Sequence, residues 1–591
     1  MQIAKVQIEN FRGILTGELL LSEHNVLVGD NNTGKSTILE AIDLVLGPER
    51  LSRQSIIDEH DFYGGDYLDM DKNPIEIKIE IVIINLNEEQ HRHFLEHLEW
   101  WDTNTKQCLD SPPAESTDKP SVVPALRVGF KGSYDKDDDD FKTKTYFLSP
   151  ISIENGELVN FRSSDKRVCG FLFLRTLRTG SRALSLERGS LLDIILKLKD
   201  TRLQIWEDVL SNLRKVPVAE KPELGVTDIL SAVQKSLHSF VNSNWSDNPH
   251  LKVSDLTRES LRRILTVFMD TGAISKNGSR HTAPFQHQGT GTINILVLSL
   301  LSIIAELKQN VIFAMEEPEI AIPPHTQKSI IESIRNKSAQ ALFTSHSPYV
   351  LEEFEPSQIL VLHRKAGKIL GCSATYPPTV KPKAYRSEFR KRFCEALLAN
   401  HVLITEGRTE YDAFPAVARR LHELYPEEFS TLDALGIAII DAESDTKIAA
   451  LGSHFISLNK NVLAVYDLQE PEQMTLIKST IPNCFEAPEK GFEKVIVNGI
   501  ADAALRRFGL SLVSDGLWPT HLSNQSPYIT MPEQALRETI LKYLTWSKGA
   551  GSAADLLGQC SKDEMPKFIV ETISKIHILI SPPKTVENPT V

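Results

Sequence analysis

Residues 29–36 combine two glycines, a lysine and a hydroxyl side chain in a spacing that suits phosphate binding. The segment reads Gly-Asp-Asn-Asn-Thr-Gly-Lys-Ser, follows the apolar residues Val26-Leu-Val28 and precedes a helix predicted over Thr37–Leu46. Its glycines let backbone amides point inward, Lys35 can neutralise phosphate charge, and the Ser36 hydroxyl can ligate magnesium. The order strand, loop, helix predicts a nucleotide-binding P-loop, whose contacts we expect from Asn31, Asn32, Thr33, Gly34, Lys35, Ser36 and Thr37.

Further along the chain, polar side chains follow two predicted strands and supply groups that nucleotide hydrolysis needs. A buried-strand pattern ends in Glu316-Glu317-Pro-Glu, where Glu316 would lie near the metal and Glu317 would be the general base. His346 follows another strand and could sense the γ-phosphate. A single histidine after a strand is more often structural. Taken in order with the P-loop, however, these motifs predict an ATPase.

A glycine-rich segment, Gln286-His-Gln-Gly289-Thr-Gly291-Thr, directly precedes a helix predicted over Ile293–Leu307. It resembles the signature motif of ABC-type ATPases, in which a helix N-terminus contacts ATP held by a second subunit. The first predicted strand ends in Asn10-Phe-Arg12, similar to the SMC and RecF branch. This resemblance implies that Arg12, Gly289 and Gly291 contact nucleotide and that two ATPase heads dimerise around ATP.

A second set of acids lies at predicted strand ends in the C-terminal part of the chain. The strand His401–Thr405 delivers Glu406-Gly, Glu410 begins the next helix, and the strand Val462–Tyr466 ends at Asp467. Alternating strands and helices predict a parallel sheet. Clustered carboxylates suit two hard cations, which would activate water and stabilise the leaving oxygen in phosphodiester cleavage. The alternative is that these acids cap helices and solvate strand ends.

This C-terminal pattern resembles the Toprim domain of topoisomerases, primases and related nucleases. In that domain the third strand normally ends in Asp-x-Asp, whereas here Asp467-Leu-Gln469 supplies only the first aspartate. A neutral amide is a poorer magnesium ligand than a carboxylate. Two interpretations stay open: Glu470 substitutes after a local shift, or one metal binds weakly.

An ABC-type ATPase followed by Toprim is the architecture of the OLD (overcoming lysogenization defect) nuclease family, to which the Gabija anti-phage nuclease belongs. The resemblance covers nearly the whole chain. It implies that Lys548, in Trp-Ser-Lys-Gly, stabilises developing phosphate charge. Asp441 and Glu493 fall near family acidic positions, and each is either a metal ligand or a surface acid. The run Phe173–Arg188 resembles the class 2 branch, whose members are encoded beside a helicase.

Length and charge bound the organisation of the chain. Its 591 residues are too many for one core, and a prior of roughly one domain per 150 residues suggests about three or four. The net charge of −13 argues against a generally basic surface but leaves local nucleic-acid patches open. One such patch, or alternatively a salt-bridged face, is formed by Arg175, Arg178, Arg182 and Arg188.

Cysteine usage and apolar patterning bear on location. The six cysteines are scattered without close pairs, which argues against a disulfide framework or a zinc site. The N-terminus lacks a signal-peptide pattern, and no uninterrupted apolar stretch reaches about 18 residues. We therefore expect a cytoplasmic protein without a membrane partner.

Together these patterns predict an α/β protein: an ABC-type, SMC/RecF-like P-loop ATPase with a helical insertion, followed by a Toprim α/β domain with a parallel sheet. The expected boundaries are 1–190 for the N-terminal ATPase lobe, 191–280 for a helical insertion that serves dimerisation, 281–375 for the C-terminal ATPase lobe, 376–400 for a linker and basic helix, and 401–591 for the Toprim domain with a C-terminal helical extension.

The function expected from the resemblance is an ATP-binding and ATP-hydrolysing DNA endonuclease, acting as a homodimer or higher oligomer in anti-phage defence or DNA processing. The nuclease site would use Mg²⁺ or Mn²⁺, with Ca²⁺ as a further candidate, and ATP would regulate DNA access. Family analogy alone adds a superfamily 1 helicase partner. The alternative is a non-cleaving DNA-binding repair or sensor ATPase whose Toprim unit has degenerated at Gln469. A more distant alternative is an ATP-driven scaffold.

Overall fold

The computed structural model describes residues 1–48, 56–109, 121–149, 153–154, 157–175, 186, 190–199, 202–215, 226–238, 257–308, 310–377 and 389–581. The chain divides into two compact units. The first comprises Met1–Val26, Ser36–Ser345 and Ala366–Lys368, and the second comprises Leu27–Lys35, His346–Lys365 and Ile369–Val591.

The strands before residue 374 are, in chain order, β1 (Gln2–Phe11), β2 (Ile14–Leu20), β3 (His24–Val28), β4 (Ile77–Ile84), β5 (Leu98–Asp102), β6 (Gln107–Leu109), β7 (Val122–Asp135), β8 (Asp140–Phe147), β9 (Ile153–Glu154), β10 (Glu157–Leu158), β11 (Phe171–Leu174), β12 (Phe268–Ile274), β13 (Arg280–Pro284), β14 (Ile312–Glu316), β15 (Gln340–Thr344), β16 (Ile359–Lys365) and β17 (Lys368–Ser373). The helices in this part are α1 (Lys35–Leu46), α2 (Glu88–His93), α3 (Ser163–Cys169), α4 (Leu191–Leu198), α5 (Arg202–Lys215), α6 (Val226–His238), α7 (Arg258–Ile264), α8 (Thr290–Lys308), α9 (Pro324–Lys337) and α10 (Pro348–Leu351).

The first unit contributes two runs of strands to a 13-stranded sheet. One run, β11-β14-β15, is parallel, and every residue of β14 and β15 is buried. Strands buried on both faces are continuous apolar runs, which is why their sequences do not alternate. The other run, β2-β1-β4-β7-β5-β6 with β8 beside β7, is antiparallel. The mixed sheet agrees with the predicted α/β class.

Two local predictions in this unit need revision. The Pro, Ser, Thr and Asp content of Asn104–Pro124 predicts a long surface loop. This prediction is wrong at both ends, because β6 lies within the segment and β7 begins at Val122. The β7 extension forms by pairing with β5, with Trp101 opposite Val123, a long-range contact that local composition does not show. Residues 110–120 between them lie outside the described part of the chain.

Helices occur where the 191–265 segment predicted them, as α4, α5, α6 and α7. The rest of the predicted insertion differs, because β12 and β13 form an antiparallel hairpin with Phe268 opposite Pro284. Most residues of β12 are exposed, so its sequence lacks the alternation of a half-buried strand.

Helix α8 is the one helix among the described residues with the length and composition to cross a membrane. In its most apolar window 39% is buried, and the helix contacts α4 and α9. The buried side includes Val297, Leu301 and Ile304. A core helix passes the same test of length and composition, so this feature is weak evidence for a membrane span.

The C-terminal part of the second unit is built on four strands, β18 (His401–Thr405), β19 (Ile437–Asp441), β20 (Asn461–Tyr466) and β21 (Asn483–Glu486). They pair in the order β19-β18-β20-β21, and every pairing is parallel, which confirms the predicted sheet. Its helices are α11 (Arg390–Leu398), α12 (Arg408–Leu424), α13 (Asp445–Ser457), α14 (Pro471–Thr480), α15 (Phe492–Gly499), α16 (Asp502–Ser514), α17 (Glu533–Trp546), α18 (Ser552–Gly558) and α19 (Lys567–Ile580).

One face of helix α12 contributes to the hydrophobic core of this domain. Ala413, Phe414, Val417 and Leu421 recur at one-turn spacing along α12, and all are fully buried. They join Leu463 and residues of the C-terminal helices in one hydrophobic cluster. The basic helix predicted over Ser387–Ala399 is present as α11, whereas most of the predicted linker, 378–388, lies outside the described residues.

The second unit also contains the P-loop residues Leu27–Lys35 and strand β16. In this unit the His363 Nε2 of β16 lies 2.8 Å from the Leu458 carbonyl oxygen. With its side-chain amide turned so that the nitrogen faces the loop, Asn400, next to β18, donates to Asp30 Oδ2 at 3.1 Å. In this orientation one hydrogen bond links the P-loop to the residue that precedes the parallel sheet.

Candidate active site

Two neighbouring parallel strands bring the predicted acids Glu406 and Asp467 together. Thr405, the last residue of β18, pairs in register with Val465 near the end of β20. The residues that follow both strands therefore emerge at the same edge of the sheet. Glu406 Oε2 accepts a hydrogen bond from the Asp467 amide at 2.9 Å. The sequence expectation that these two acids share a strand edge is met by this geometry.

Gln469 occupies the place where the family pattern has a second aspartate, and it contacts the same carboxylate. Its Nε2 donates to Glu406 Oε2 at 2.7 Å and to the Asp467 carbonyl oxygen at 3.1 Å. Glu470 is exposed and is the N-cap residue of α14. In this arrangement Gln469, and not Glu470, is the side chain held against the acids.

Glu410 begins the helix after β18 and is only 3% exposed. Burial, together with the negative charges of Asp467, Glu406 and Glu493, raises the pKa of Glu410 to about 8. Burial also raises the pKa of Glu406 and of Asp467, and each lies close enough to a further carboxylate to be destabilised as an anion. Desolvation and the charges of neighbouring carboxylates therefore both disfavour the anionic forms of these three groups.

Glu493 and Lys548 form the charged partner pair beside these acids. Burial alone would raise the pKa of Glu493, but hydrogen bonds from Thr409 and Lys548 hold it below its ordinary value. Thr409 Oγ1 donates to Glu493 Oε1 at 2.6 Å, and Lys548 Nζ lies 3.2 Å from the same oxygen. The lysine is thus an exposed side chain whose ammonium group lies beside Glu493.

Asp441 is the more separate member of the predicted metal set. It ends β19 and pairs in register with Thr405, and its Oδ1 accepts from the Glu443 amide at 2.8 Å. Burial raises the pKa of Asp441, while Arg392 and Arg408 act in the opposite direction. The charges that act on Asp441 are therefore those of Arg392, Glu443 and Arg408 rather than those of Glu406, Glu410 and Asp467.

The donor set fits a hard divalent cation in its chemistry. Asp467 Oδ1 is buried without a hydrogen-bond partner, while Oδ2 accepts from the Gly491 amide at 2.8 Å. Oxygen ligands of this kind are those that Mg²⁺ and Mn²⁺ prefer. Among the described residues, however, no three Asp, Glu, His or Cys side chains already converge at ligand distance. Ion binding would therefore require these side chains to move closer together.

In the P-loop, Lys35 bridges the loop's own carbonyl groups. Its Nζ donates to the carbonyl oxygens of Gly29 and Asp30 at 2.8 and 2.9 Å, and Thr33 Oγ1 also donates to Asp30 at 2.9 Å. Gly34 has φ of 104°, a conformation that L side chains rarely adopt. Asn31, Asn32 and Ser36 are exposed, and Thr37 is half-buried. The ammonium and backbone amides are those expected to receive phosphate.

The acids predicted for ATP hydrolysis follow β14 in the first unit. Glu316 pairs in register with Thr344 and is 7% exposed, and the Glu317 amide donates to the Thr344 carbonyl at 3.0 Å. Glu317 has φ of 45°. His346, after β15, is exposed. Glu316, Glu317 and His346 therefore lie at the ends of strands. Their roles in hydrolysis remain predictions.

Gly289, Gly291 and Arg12, which were predicted to contact nucleotide, lie in the first unit. A Cβ on Gly291 would lie 2.7 Å from the Ala321 carbonyl oxygen, whereas one on Gly289 would meet open space. Arg12 pairs with Glu40 at 2.5 Å and with Asp61 at 2.7 Å. Gly291 is therefore required by close backbone approach, and the Arg12 guanidinium is held by two carboxylates.

The predicted basic patch is described at one residue only. Arg175 pairs with Glu40 at 3.2 Å, which favours the salt-bridged interpretation at this position. Arg178, Arg182 and Arg188 lie outside the described residues. A pair that sequence reasoning missed is Arg392 and Arg408, whose guanidinium carbons lie 4.5 and 4.6 Å from the Tyr411 ring centre. The position of Arg408, directly after Glu406-Gly407, is the sequence signal that could have identified it as a residue near the acids.

A P-loop, strand-end acids and a four-stranded parallel sheet with clustered carboxylates define an ATPase joined to a Toprim domain. Residues 1–161 and 189–351 match the family model of an AAA ATPase domain, and residues 397–468 match that of the overcoming lysogenization defect protein-like TOPRIM domain. The chain belongs to the AAA ATPase domain family and carries an OLD-like TOPRIM domain, an organisation consistent with class 2 of the OLD family. It is an enzyme with an ATPase domain and a nuclease domain.

Two curated relatives share this organisation. The chain is 23% identical to endonuclease GajA of Bacillus cereus (strain VD045) over 443 residues, covering 72% of this chain and 69% of that protein. It is 23% identical to OLD nuclease of Thermus scotoductus over 366 residues, covering 58% of this chain and 59% of that protein. The alignment thus spans less than two thirds of the second relative.

Solved SMC heads are also similar to the chain. The Smc head bound to the C-winged helix domain of ScpA gives a TM-score of 0.33 at 12% identity, covering 63% of this chain and 98% of that one. The SMC head domain from Thermotoga maritima gives 0.29 at 11% identity, covering 63% and 99%. Because these scores are low, the fold assignment rests on the family models and strand topology.

Replacing Glu410 by Gln should stabilise the protein in metal-free buffer. In the unfolded chain this group ionises near 4.5, whereas the folded protein retains its proton up to about 8. The folded state therefore binds more protons in that window, and stability falls as pH rises through it. Glu410→Gln removes this loss, so its advantage in free energy of unfolding should grow from pH 5 to pH 8 and reach on the order of a few kcal/mol. The measurement is the difference in unfolding temperature between variant and wild type at each pH.

The matched control is Glu423→Gln, the same change at an exposed position on the same helix, which should leave the unfolding temperature unchanged. Added Mn²⁺ should stabilise wild type more than Glu410→Gln. An advantage that does not vary with pH, or a less stable Glu410→Gln protein, would contradict the burial of a repelled carboxyl group.

Proposed function

We propose that the protein is a metal-dependent DNA endonuclease whose Toprim carboxylates cut the phosphodiester bond under the control of its ATPase half. The observation that carries this proposal is the cluster at one sheet edge, in which Glu406, Glu410 and Asp467 repel one another while Lys548 lies beside them. Such a cluster destabilises the fold, and binding of a divalent cation would offset this destabilisation by neutralising the negative charges.

Glu406, Glu410 and Asp467 are the residues proposed to hold Mg²⁺ or Mn²⁺, with Glu493 and Asp441 as further ligands and Ca²⁺ as an alternative ion. The ion would activate water and stabilise the leaving oxygen. The Gly491 amide fixes one oxygen of Asp467 and leaves the other oriented without a partner. Lys548 would stabilise negative charge that develops on the phosphate.

The ATPase half is proposed as the control rather than the cutter. Lys35 and Ser36 would bind the phosphates and magnesium of ATP, Glu316 would support the metal, Glu317 would activate water, and His346 would sense the γ-phosphate. The P-loop and the Toprim sheet belong to one compact unit and share hydrogen bonds. A changed loop on ATP binding would act directly on the base of the sheet that carries the acids.

The biological setting is also a proposal. A relative named an endonuclease and another named an OLD nuclease support DNA as the substrate. We propose a cytoplasmic homodimer, assembled through the ATPase half and the 191–280 insertion, that serves anti-phage defence or DNA processing. A superfamily 1 helicase partner rests on family resemblance alone.

The first test is nicking of supercoiled plasmid by purified protein with Mg²⁺, Mn²⁺ or Ca²⁺, with and without ATP. Glu406→Ala should lower nicking by at least about 100-fold, because it removes a direct ligand of the cluster. Lys35→Ala should abolish ATP hydrolysis but leave ATP-independent nicking. Glu472→Ala, an exposed acid on α14, is the control expected to cut normally.

Preparations free of contaminating nuclease that never cut with any of these ions would reject the proposal in favour of a non-cleaving DNA-binding ATPase. Nicking that persists in Glu406→Ala but is lost in Lys35→Ala would place the chemistry elsewhere.

Gln469→Asp supplies the carboxylate that the family pattern lacks. It also removes the amide that holds Glu406 Oε2. If ion occupancy limits cutting, the Mn²⁺ concentration for half-maximal nicking should fall by roughly tenfold, since ligand charge sets affinity for hard cations. Gln469→Asn, which keeps an amide on a shorter side chain, is the control and should show no such fall. Unchanged or lower activity in Gln469→Asp would contradict limiting occupancy.

A further inference from the structure

An exposed indole stands next to the proposed nuclease site. Trp546 is the last residue of α17 and is 57% exposed, although burying an aromatic side chain of this size is strongly favourable. Tryptophan left on a surface is enriched where a protein contacts a partner. Neither the ATPase motifs nor the carboxylate cluster accounts for this side chain.

Neighbouring aromatic groups hold the Trp546 ring in place. Its centre lies 4.9 Å from that of His521 and 6.0 Å from that of Tyr543. Tyr543 is itself stacked on Trp518 at 5.2 Å with an interplanar angle of 17°. The Trp518 indole donates to the Leu522 carbonyl at 3.0 Å. The exposed ring therefore belongs to a supported aromatic group, so little side-chain entropy is lost when a flat ligand binds to it.

The chain path places the backbone of Trp546 close to that of the proposed nuclease residue Lys548. Only Ser547 separates Trp546 from Lys548, so the two Cα atoms lie within about 7 Å of each other. Ser547 bonds back to the Tyr543 carbonyl through both its amide and its hydroxyl, at 2.9 and 2.8 Å. Lys548 in turn contacts Glu493 beside the carboxylates.

Cationic side chains lie on this side of the site, and one of them, Arg408, is also paired with Asp412 at 3.1 Å. A Cβ on Gly549, the residue after Lys548, would lie 3.5 Å from the Arg408 side chain. Arg408 and Arg392 both flank the Tyr411 ring. Cationic groups beside an exposed aromatic ring are the two components of single-strand nucleic-acid binding, because cations follow the backbone and rings stack on bases.

We propose that Trp546 stacks on an unpaired base next to the phosphodiester bond that the Toprim carboxylates cut, so that the preferred substrate has a single-stranded nucleotide at the cut site. This inference rests on the proposed nuclease function. Base faces are hidden inside a duplex, so the ring can be used only by single-stranded or gapped DNA. Because every base offers such a face, the contact selects structure rather than sequence.

The test measures DNA binding separately from cutting, using the full-length chain with Glu406→Gln in the presence of Ca²⁺. The probes are a fluorescently labelled single-stranded oligonucleotide of mixed sequence and the duplex of the same sequence, followed by anisotropy. Adding Trp546→Ala should weaken single-strand binding by about 5- to 100-fold, as expected for one lost stacking contact. Duplex binding should change by less than about twofold, and Trp546→Phe should retain binding within about threefold because the ring is kept.

Tyr425→Ala is the matched control. Tyr425 is a partly exposed aromatic residue at the opposite end of α12 from Glu410, about 22 Å away along the helix axis. The Tyr425→Ala variant should bind both probes as strongly as the parent protein does. Circular dichroism of each variant should match the parent, since Trp546 is a surface residue.

Three outcomes would overturn the inference: unchanged single-strand binding in Trp546→Ala, equal losses for single strand and duplex, or a loss in Trp546→Phe as large as in Trp546→Ala. Plasmid nicking by the otherwise wild-type chain reports the nuclease function independently. A protein that nicks DNA but binds normally without Trp546 overturns the stacking contact alone. A protein that never nicks, yet needs Trp546 for single strands, overturns the cleavage and supports the stacking contact.

Discussion

Repulsion between clustered carboxyl groups, one of them buried, is the constraint on which the C-terminal half of this protein depends. Glu406, Glu410 and Asp467 are brought together by two parallel strands and the helix that follows the first. Water, which would normally screen such groups, is largely excluded from Glu410. The backbone amides of Asp467 and Gly491 offset part of the cost. The site is thus assembled by the core packing of α12 against the sheet, and the acids themselves oppose it.

The ATPase half has a different balance, because its key groups are paired within the fold. Lys35 is bonded to two carbonyl groups of its own loop, and Arg12 lies between Glu40 and Asp61. Phosphate binding would have to exchange the Lys35 bonds for bonds to the ligand. Such an exchange alters the Asp30 backbone, whose side chain is bonded to Asn400 at the base of the Toprim sheet. A change in the nucleotide loop can therefore affect the hydrogen bond that links it to the start of the nuclease sheet.

Sequence reasoning predicted those parts of the fold that local pattern determines. The strand His401–Thr405 has the predicted bounds, and the parallel order of the Toprim sheet follows from alternating strands and helices. The extension of β7 could not be predicted, because it depends on pairing with the distant β5. The β12–β13 hairpin was missed since its exposed residues carry no alternation. At the site, motif spacing located Glu406 and Asp467, but it could not show that Gln469 would bond to Glu406, which is a matter of side-chain direction.

The bond between Gln469 and Glu406 has a consequence for how the protein matures. In many small metal-binding domains the ligands repel one another until the ion arrives, so folding waits for the metal supply. Here a neutral amide from the chain itself satisfies one carboxylate oxygen. The fold therefore needs no ion to satisfy this oxygen, and an ion that used it would have to compete with the Gln469 amide.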